Sequence, residues 1–217
     1  GLNWVGGLMG SSGNILRSYS TGNISATGYK VGGLAGVAKN ITQSYSTGDV
    51  TTTLTGSTEV GGLVGTMHAG GTIANSYSLS NVTSAGYNVG GLVGDTDHGT
   101  ISDSYYAGIM SAVGSSNIGA INGTGGGTIT DSFWDNDIYA NTVEDGDGGI
   151  GKTITQMTTP ATFTGATWDF KGETTNGTND IWNMGASSNN GYACLWGVGC
   201  SATNVYARLI TGSSTFG

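Results

Sequence analysis

Short apolar blocks return along this chain at a long, nearly even period. Val5-Gly6-Gly7-Leu8-Met9-Gly10 reappears as Val31-Gly32-Gly33-Leu34-Ala35-Gly36, Val60-Gly61-Gly62-Leu63-Val64-Gly65 and Val89-Gly90-Gly91-Leu92-Val93-Gly94. A weakened copy reads Ile118-Gly119-Ala120-Ile121-Asn122-Gly123, and the block starts are spaced 26, 29, 29 and 29 residues apart. A second block follows each: Ser18-Tyr19-Ser20, Ser44-Tyr45-Ser46, Ser76-Tyr77-Ser78, Ser104-Tyr105-Tyr106 and Ser132-Phe133-Trp134. Ile15, Ile41, Ile73, Ile101 and Ile129 each stand four residues before the aromatic. Behind it come Thr21-Gly22-Asn23-Ile24, Thr47-Gly48-Asp49-Val50 and Leu79-Ser80-Asn81-Val82. Runs of β-branched and aromatic residues that end in Gly, Asn or Asp are strands punctuated by turns.

Each strand is too short to bury a face alone. Stacked copies solve this, because each coil bonds to the coils above and below. Like residues then form columns: Ile over Ile, Leu over Leu, Tyr over Tyr. Gly-Gly after each Val allows a tight bend. Two residues before the aromatic stands Arg17, Gln43, Asn75, Asp103 or Asp131. Strict alternation would bury this polar residue, so a bend is expected there, with the polar groups in a ladder near a corner. The prediction is an all-β parallel β-solenoid (β-helix) of about five ~28-residue coils over residues 1–134, a rod about 24 Å long.

The pattern V-G-G-L-V-G, then G-x-I-x-x-S-Y-S-x-G-x-V, resembles the GLUG repeat. Such repeats occur in large bacterial surface and secreted proteins, including filamentous-haemagglutinin-like adhesins and proteins linked to IgA-cleaving metallopeptidases. The resemblance covers residues 1–134. Phe133-Trp134-Asp135, Gly151-Lys152-Thr153, Gln156-Met157, Phe163, Trp168-Asp169-Phe170 and Ile181-Trp182-Asn183 are similar to the tail that follows such repeats. The likeness implies a parallel β-solenoid at a cell surface and no catalytic residues.

Composition shifts near residue 135: four of five Trp and eight of fourteen acidic residues fall at or after Trp134. An open solenoid end invites pairing with other chains. Residues 135–185 are therefore expected to form an acidic, Trp-rich cap anchored by Trp168, Phe170 and Trp182, with a short helix around 153–158 stopped before Pro160. Residues 186–217 carry a Cys loop and a terminal strand, Asn204–Ile210. Cys194 and Cys200 are expected to pair across a small Gly-containing loop, which places the protein in an oxidising compartment, secreted or at the cell surface. The chain opens with neither an initiator Met nor a signal peptide and reads as a piece of a longer secreted protein, or a matured one.

Charged residues make up only 9% of the chain, and six basic against fourteen acidic residues give a net charge of −8. Nucleic acid and anionic membranes need a basic surface, so neither is expected as a partner. No apolar run approaches the ~20 residues of a membrane-spanning helix. The scarcity of helix formers beside 42 Gly also argues against a helical fold.

Candidate chemistry is sparse. The aligned segments after the aromatic block place Ser25, Thr51, Thr83 and Ser111 in one outward column, the best binding candidate for a glycan or protein surface. A second hydroxyl at Thr27 and Thr53 raises an ice-binding or crystalline-carbohydrate alternative, although Thr suits any exposed strand face. Asp135, Asp137, Glu144, Asp145 and Asp147 form an oxygen-rich cluster of the kind that suits Ca²⁺, the one cofactor in view; a solvated acidic loop is the plain alternative. Gly146–Thr153 matches the G-x-x-x-x-G-K-[ST] phosphate-loop string, but Glu144, Asp145 and Asp147 would repel phosphate. His68 and His98 occupy similar places on neighbouring copies; a metal site there would need Asp95 or Asp97 as a third ligand, and two turn histidines are the favoured reading. Asp103 and Asp131, one coil apart, are the pair a polysaccharide-processing β-helix would use, and a structural ladder predicts the same pair. Five glycosylation sequons begin at Asn23, Asn40, Asn81, Asn122 and Asn176, as expected of so Asn/Thr-rich a chain.

Together these features describe a non-enzymatic, extracellular solenoid module of an adhesin-like bacterial protein, contacting a glycan or a host protein. The alternatives are the hydroxyl face as an ice or glycan binder, a polysaccharide-processing enzyme, and a homo-oligomer or fibre subunit joined through its ends.

Overall fold

The computed structural model describes residues 3–56, 58–112, 116–138, 149–185 and 189–200. Four walls of parallel strands wind about one axis. Wall one holds Trp4–Gly6, Lys30–Gly32, Glu59–Gly61, Val89–Gly90 and Ile118–Gly119. Wall two holds Met9–Leu16, Ala35–Thr42 and Val64–Ala74, then two shorter strands per coil, Val93–Asp95 with Thr100–Ser102 and Asn122–Thr124 with Thr128–Thr130. Wall three stacks Tyr19–Ser20, Tyr45–Ser46, Tyr77–Ser78, Tyr105–Tyr106, Phe133–Asp135 and Ile150–Lys152. Wall four stacks Ile24–Ala26, Val50–Gly56, Val82–Gly86 and Met110–Ala112. Four turns are complete, and the fifth forms three of its four walls among the described residues. About four turns, rather than five full ones, is thus the size of the solenoid.

The registers follow the repeat. Val5, Val31, Val60, Val89 and Ile118 pair in series. So do the isoleucines from Ile15 to Ile129 and the aromatics from Tyr19 to Phe133. Buried Val31, Leu63, Ile73, Val82 and their column mates fill the interior as one cluster. Burying each such side chain contributes about 1.5–3 kcal/mol. Glycine permits the coils to close: a Cβ on Gly65 would lie 2.6 Å from Val31 N and 2.7 Å from Gly36 O of the neighbouring coil.

The expected polar corner is present. Arg17, Gln43, Asn75, Asp103 and Asp131 all adopt φ between 45° and 49°, a left-handed bend that turns each side chain out of the strand pattern. The serine beside it closes the corner. Ser18 N donates to Ser44 Oγ at 3.1 Å, Ser44 N to Ser76 Oγ at 3.2 Å, Ser76 N to Ser104 Oγ at 3.1 Å and Ser104 N to Ser132 Oγ at 3.3 Å.

The tyrosine column stacks outside the interior. Ring centroids of Tyr19, Tyr45, Tyr77 and Tyr105 are successively 5.0, 4.8 and 5.0 Å apart and nearly parallel. These rings belong to a second core, shared with Met157, Phe163, Trp168, Phe170, Trp182 and Leu195. The residue after each aromatic faces inward instead; Ser46 Oγ donates to Gly62 O at 2.6 Å.

The tail differs from the expected end cap. Trp168, Phe170 and Trp182 are buried anchors, but they pack along wall three. Trp182 lies 6.1 Å from both Tyr77 and Tyr105, and Trp168 lies 5.7 Å from Phe133. The stacked rings offer a long apolar surface that the end of the rod does not. The Cys loop joins the same packing, so the expected boundary at 185/186 divides one packed unit: Tyr105 Oη donates to Ala193 O at 2.5 Å. The disulfide between Cys194 and Cys200 is formed, with Cα atoms 5.4 Å apart. Helix α1, Ile154–Met157, ends before Pro160 as expected and is opened by Thr153 in a capping box with Gln156. Pro160 does more than stop it, because it opens α2, Pro160–Thr164, where a missing N–H costs nothing. No described helix is long and apolar enough to cross a membrane. The predicted strand Asn204–Ile210 lies outside the described residues.

Candidate functional site

Wall four carries the hydroxyl column. Ser25 pairs with Thr51, Thr51 with Thr83, and Thr83 with Ser111. Ser25, Thr83 and Ser111 are exposed and Thr51 is half-buried, while Val50, Val82 and Met110 beside them are buried inside. Period-two alternation therefore sends every hydroxyl outward. An amide and carboxylate ladder sets the height of the wall. Asn23 Oδ1 accepts from Asp49 N at 2.9 Å, Asp49 Oδ1 from Asn81 Nδ2 at 2.9 Å, and Asn81 Oδ1 from Ile109 N at 3.0 Å. The result is a row of donors and acceptors about 4.8 Å apart along the axis. Thr27 and Thr53 are also exposed.

At the polar corner, burial pushes the Asp103 carboxyl above its ordinary value; the Asp131 charge adds to this and a hydrogen bond from Ser102 opposes it. Trp168 Nε1 donates to Asp131 O at 2.8 Å, and Trp182 Nε1 to Asn75 Oδ1 at 3.1 Å. A pocket of about 220 Å³ lies at this seam, lined by Asn75, Asp103, Trp168, Asp169, Asn176 and Asn179 among others. The Asp169 carboxylate holds its own loop, accepting from Asn179 N at 2.9 Å and Asp180 N at 3.2 Å. Asp103 and Asp131 thus occupy a position that every coil fills with a polar bend residue.

Asp135 is buried. Its Oδ2 accepts from Tyr192 Oη at 2.6 Å and its Oδ1 from Asp137 N at 2.9 Å. Asp137 Oδ2 accepts from Ile154 N at 2.8 Å at the start of α1. Burial and the bond to Asp135 both raise the Tyr192 phenol. Both carboxylates therefore join the repeat to the tail. Glu144, Asp145 and Asp147 lie outside the described residues. Among the described residues no three His, Cys, Asp or Glu side chains form a group able to hold a metal ion.

The described part of the phosphate-loop string is occupied by packing. Ile150–Lys152 is the sixth rung of wall three, Gly151 lies against the Trp134 ring, and Lys152 Nζ sits 5.4 Å from the Phe133 ring centroid. His68 lies exposed on wall two. His98 is also exposed, its Nδ1 3.6 Å from Asp97 Oδ1.

One exposed group stands outside the repeat blocks. Trp4, Tyr29 and Tyr87 are exposed at 50%, 51% and 42%, and all three flank wall one. The sequence signal was available: Tyr29 and Tyr87 each stand two residues before the Val that opens a repeat block.

No protein-family model matches the chain, and no curated protein matches it. Among solved structures the chain is similar to a crystal structure described as a "putative immunoglobulin A1 protease" from Bacteroides ovatus. The TM-score is 0.60 at 20% sequence identity, covering 85% of this chain and 57% of that one. The chain therefore spans under two thirds of its structural neighbour. The likeness establishes the fold alone, a parallel β-solenoid.

Proposed function

We propose that this chain is a non-enzymatic, extracellular solenoid module of an adhesin-like bacterial surface or secreted protein. It projects along its axis and contacts a surface glycan or a host protein through wall four. The observation that carries this reading is the in-register outward column Ser25, Thr51, Thr83 and Ser111, backed by a filled interior. A rigid, periodic, weakly charged face suits repeated weak contacts with an extended partner. The disulfide suits an oxidising compartment. The resemblance of residues 1–134 to GLUG repeats supports a cell-surface setting. The Bacteroides ovatus neighbour is described as a protease of immunoglobulin A1, so its own description names a protein as partner. Asp103 and Asp131 serve the corner, which removes the main motive for a glycosidase.

The test is binding of the immobilised module to a panel of host glycoproteins. Thr51→Val with Thr83→Val is expected to weaken binding by about fivefold, since each lost hydrogen bond contributes about 0.5–1.5 kcal/mol, with an unchanged melting temperature. Binding indifferent to these changes would remove wall four from the reading. Turnover of a glycan, or cleavage of immunoglobulin A1, would overturn the non-enzymatic assignment.

A further inference from the structure

Every exposed Trp or Tyr side chain among the described residues lies along one edge of the rod. Trp4 projects from the first rung of wall one, and its column continues through Lys30, Glu59 and Asn88 to Asn117. Tyr29 and Tyr87 stand in the adjoining column, at the corner between walls four and one. Thr58 lies between them at the intermediate level and is fully buried, its Oγ1 donating to Tyr87 O at 3.2 Å. The two tyrosines are thus two coils apart, about 10 Å on the 4.8–5.0 Å spacing of the stacked rings. The polar column beside them is ordered: Asn117 Nδ2 donates to Asn88 Oδ1 at 2.8 Å. Near the Trp4 end the edge opens into a shallow groove lined by Asn3, Trp4, Gly10 and Ser11.

The other Trp, Tyr and Phe rings among the described residues are buried or half-buried, so three left in water along one edge are informative. Their faces are apolar, and their neighbours are amides, a carboxylate and an ammonium. That pairing matches a pyranose chain, which has C–H faces to stack on rings and hydroxyls at its rim to hydrogen-bond. The wide ring spacing, with a recessed threonine between, suits successive units of an extended ligand lying parallel to the axis. The net charge of −8 disfavours an acidic polysaccharide. We infer that the edge formed by Trp4, Tyr29 and Tyr87, with Lys30, Glu59 and Asn88, is a binding site for a neutral glycan chain. This rests on the adhesion reading and deepens it by dividing the contacts: the neutral-glycan contact belongs to this edge, and wall four keeps the host-protein contact.

The test is affinity electrophoresis of the whole chain through gels containing hydroxyethylcellulose, laminarin or yeast mannan. The wild-type chain is expected to be retarded by at least one of them. Tyr29→Ala with Tyr87→Ala should weaken that retardation about tenfold, the loss of two ring-stacking contacts. Trp4→Ala should also weaken it, and Thr51→Val with Thr83→Val should not. Circular dichroism confirms that each variant keeps the wild-type fold; these side chains are exposed, so folding should survive. No retardation in any of the three gels overturns the inference, as does a tyrosine variant that migrates like wild type. Retardation lost in the hydroxyl variant and kept in the tyrosine variant also overturns it, and leaves the adhesion reading standing.

Discussion

Trp182→Ala tests whether the tail and the solenoid are two cores. Trp182 is fully buried, stacked 4.6 Å from Trp168 and 6.1 Å from both Tyr77 and Tyr105. Truncating a buried Trp to Ala costs about 3–5 kcal/mol. The loss falls on the second core, because the interior of the coils is a separate cluster. Urea unfolding should be followed by tryptophan fluorescence, which weights the tail, and by far-ultraviolet circular dichroism, which weights the coils. With a denaturant slope of about 3 kcal/mol/M, the fluorescence midpoint should fall by about 1–1.7 M, while the dichroism midpoint moves much less. Trp182→Phe keeps a ring but loses the N–H to Asn75 and should cost about 1–2 kcal/mol. If both midpoints fall together by the full amount, the two cores unfold as one and the reasoning fails. If neither moves by about 1 kcal/mol, Trp182 is not an anchor.

Two further tests concern the repeat itself. Gly22 and Gly48 share the Thr-Gly-Asn/Asp context, but a Cβ on Gly48 would meet the Gly22 carbonyl whereas one on Gly22 meets nothing within 4 Å; chemical denaturation should show Gly48→Ala losing about 1–3 kcal/mol and Gly22→Ala staying within about 0.5 kcal/mol. Asp103→Asn should stabilise the protein slightly at neutral pH. Because burial raises the folded carboxyl above its unfolded value, the stability that Asp103 contributes is present below the unfolded pKa and lost as pH rises through the folded one. The advantage of Asn in thermal melts should therefore vanish on acidification into the carboxylate range, and an advantage that grows there would contradict the sign.

The interior was legible because its information is periodic. Ile41, Leu63 and Val82 each recur at a fixed offset, and a position repeated across copies has to stack. The polar bend at Gln43 and Asn75 was legible for a related reason: alternation would have buried an uncompensated polar group, so the chain had to turn. The side of the coil on which Tyr45 sits was not legible. Its neighbour Ser46 reads as the outward residue on polarity alone, yet its hydroxyl is satisfied inside by Gly62 O, a contact set by the next coil. The docking of Trp168 and Trp182 escaped because their partners, Asp131 and Asn75, are distant in sequence and appear once. The hydroxyl column followed from register. The aromatic edge was missed because Tyr29 and Tyr87 recur in only two copies and stand outside the motif blocks.

The route of the tail has a mechanical consequence. A stack whose rungs touch only their immediate neighbours can be peeled apart one rung at a time. Here Trp168 lies against Phe133, Trp182 against Tyr105 and Tyr77, and Gly199 against Tyr45, so a single strap is lashed lengthwise across four successive rungs. Tension along the rod is then shared among them, and the strap must tear loose before any one rung can slip.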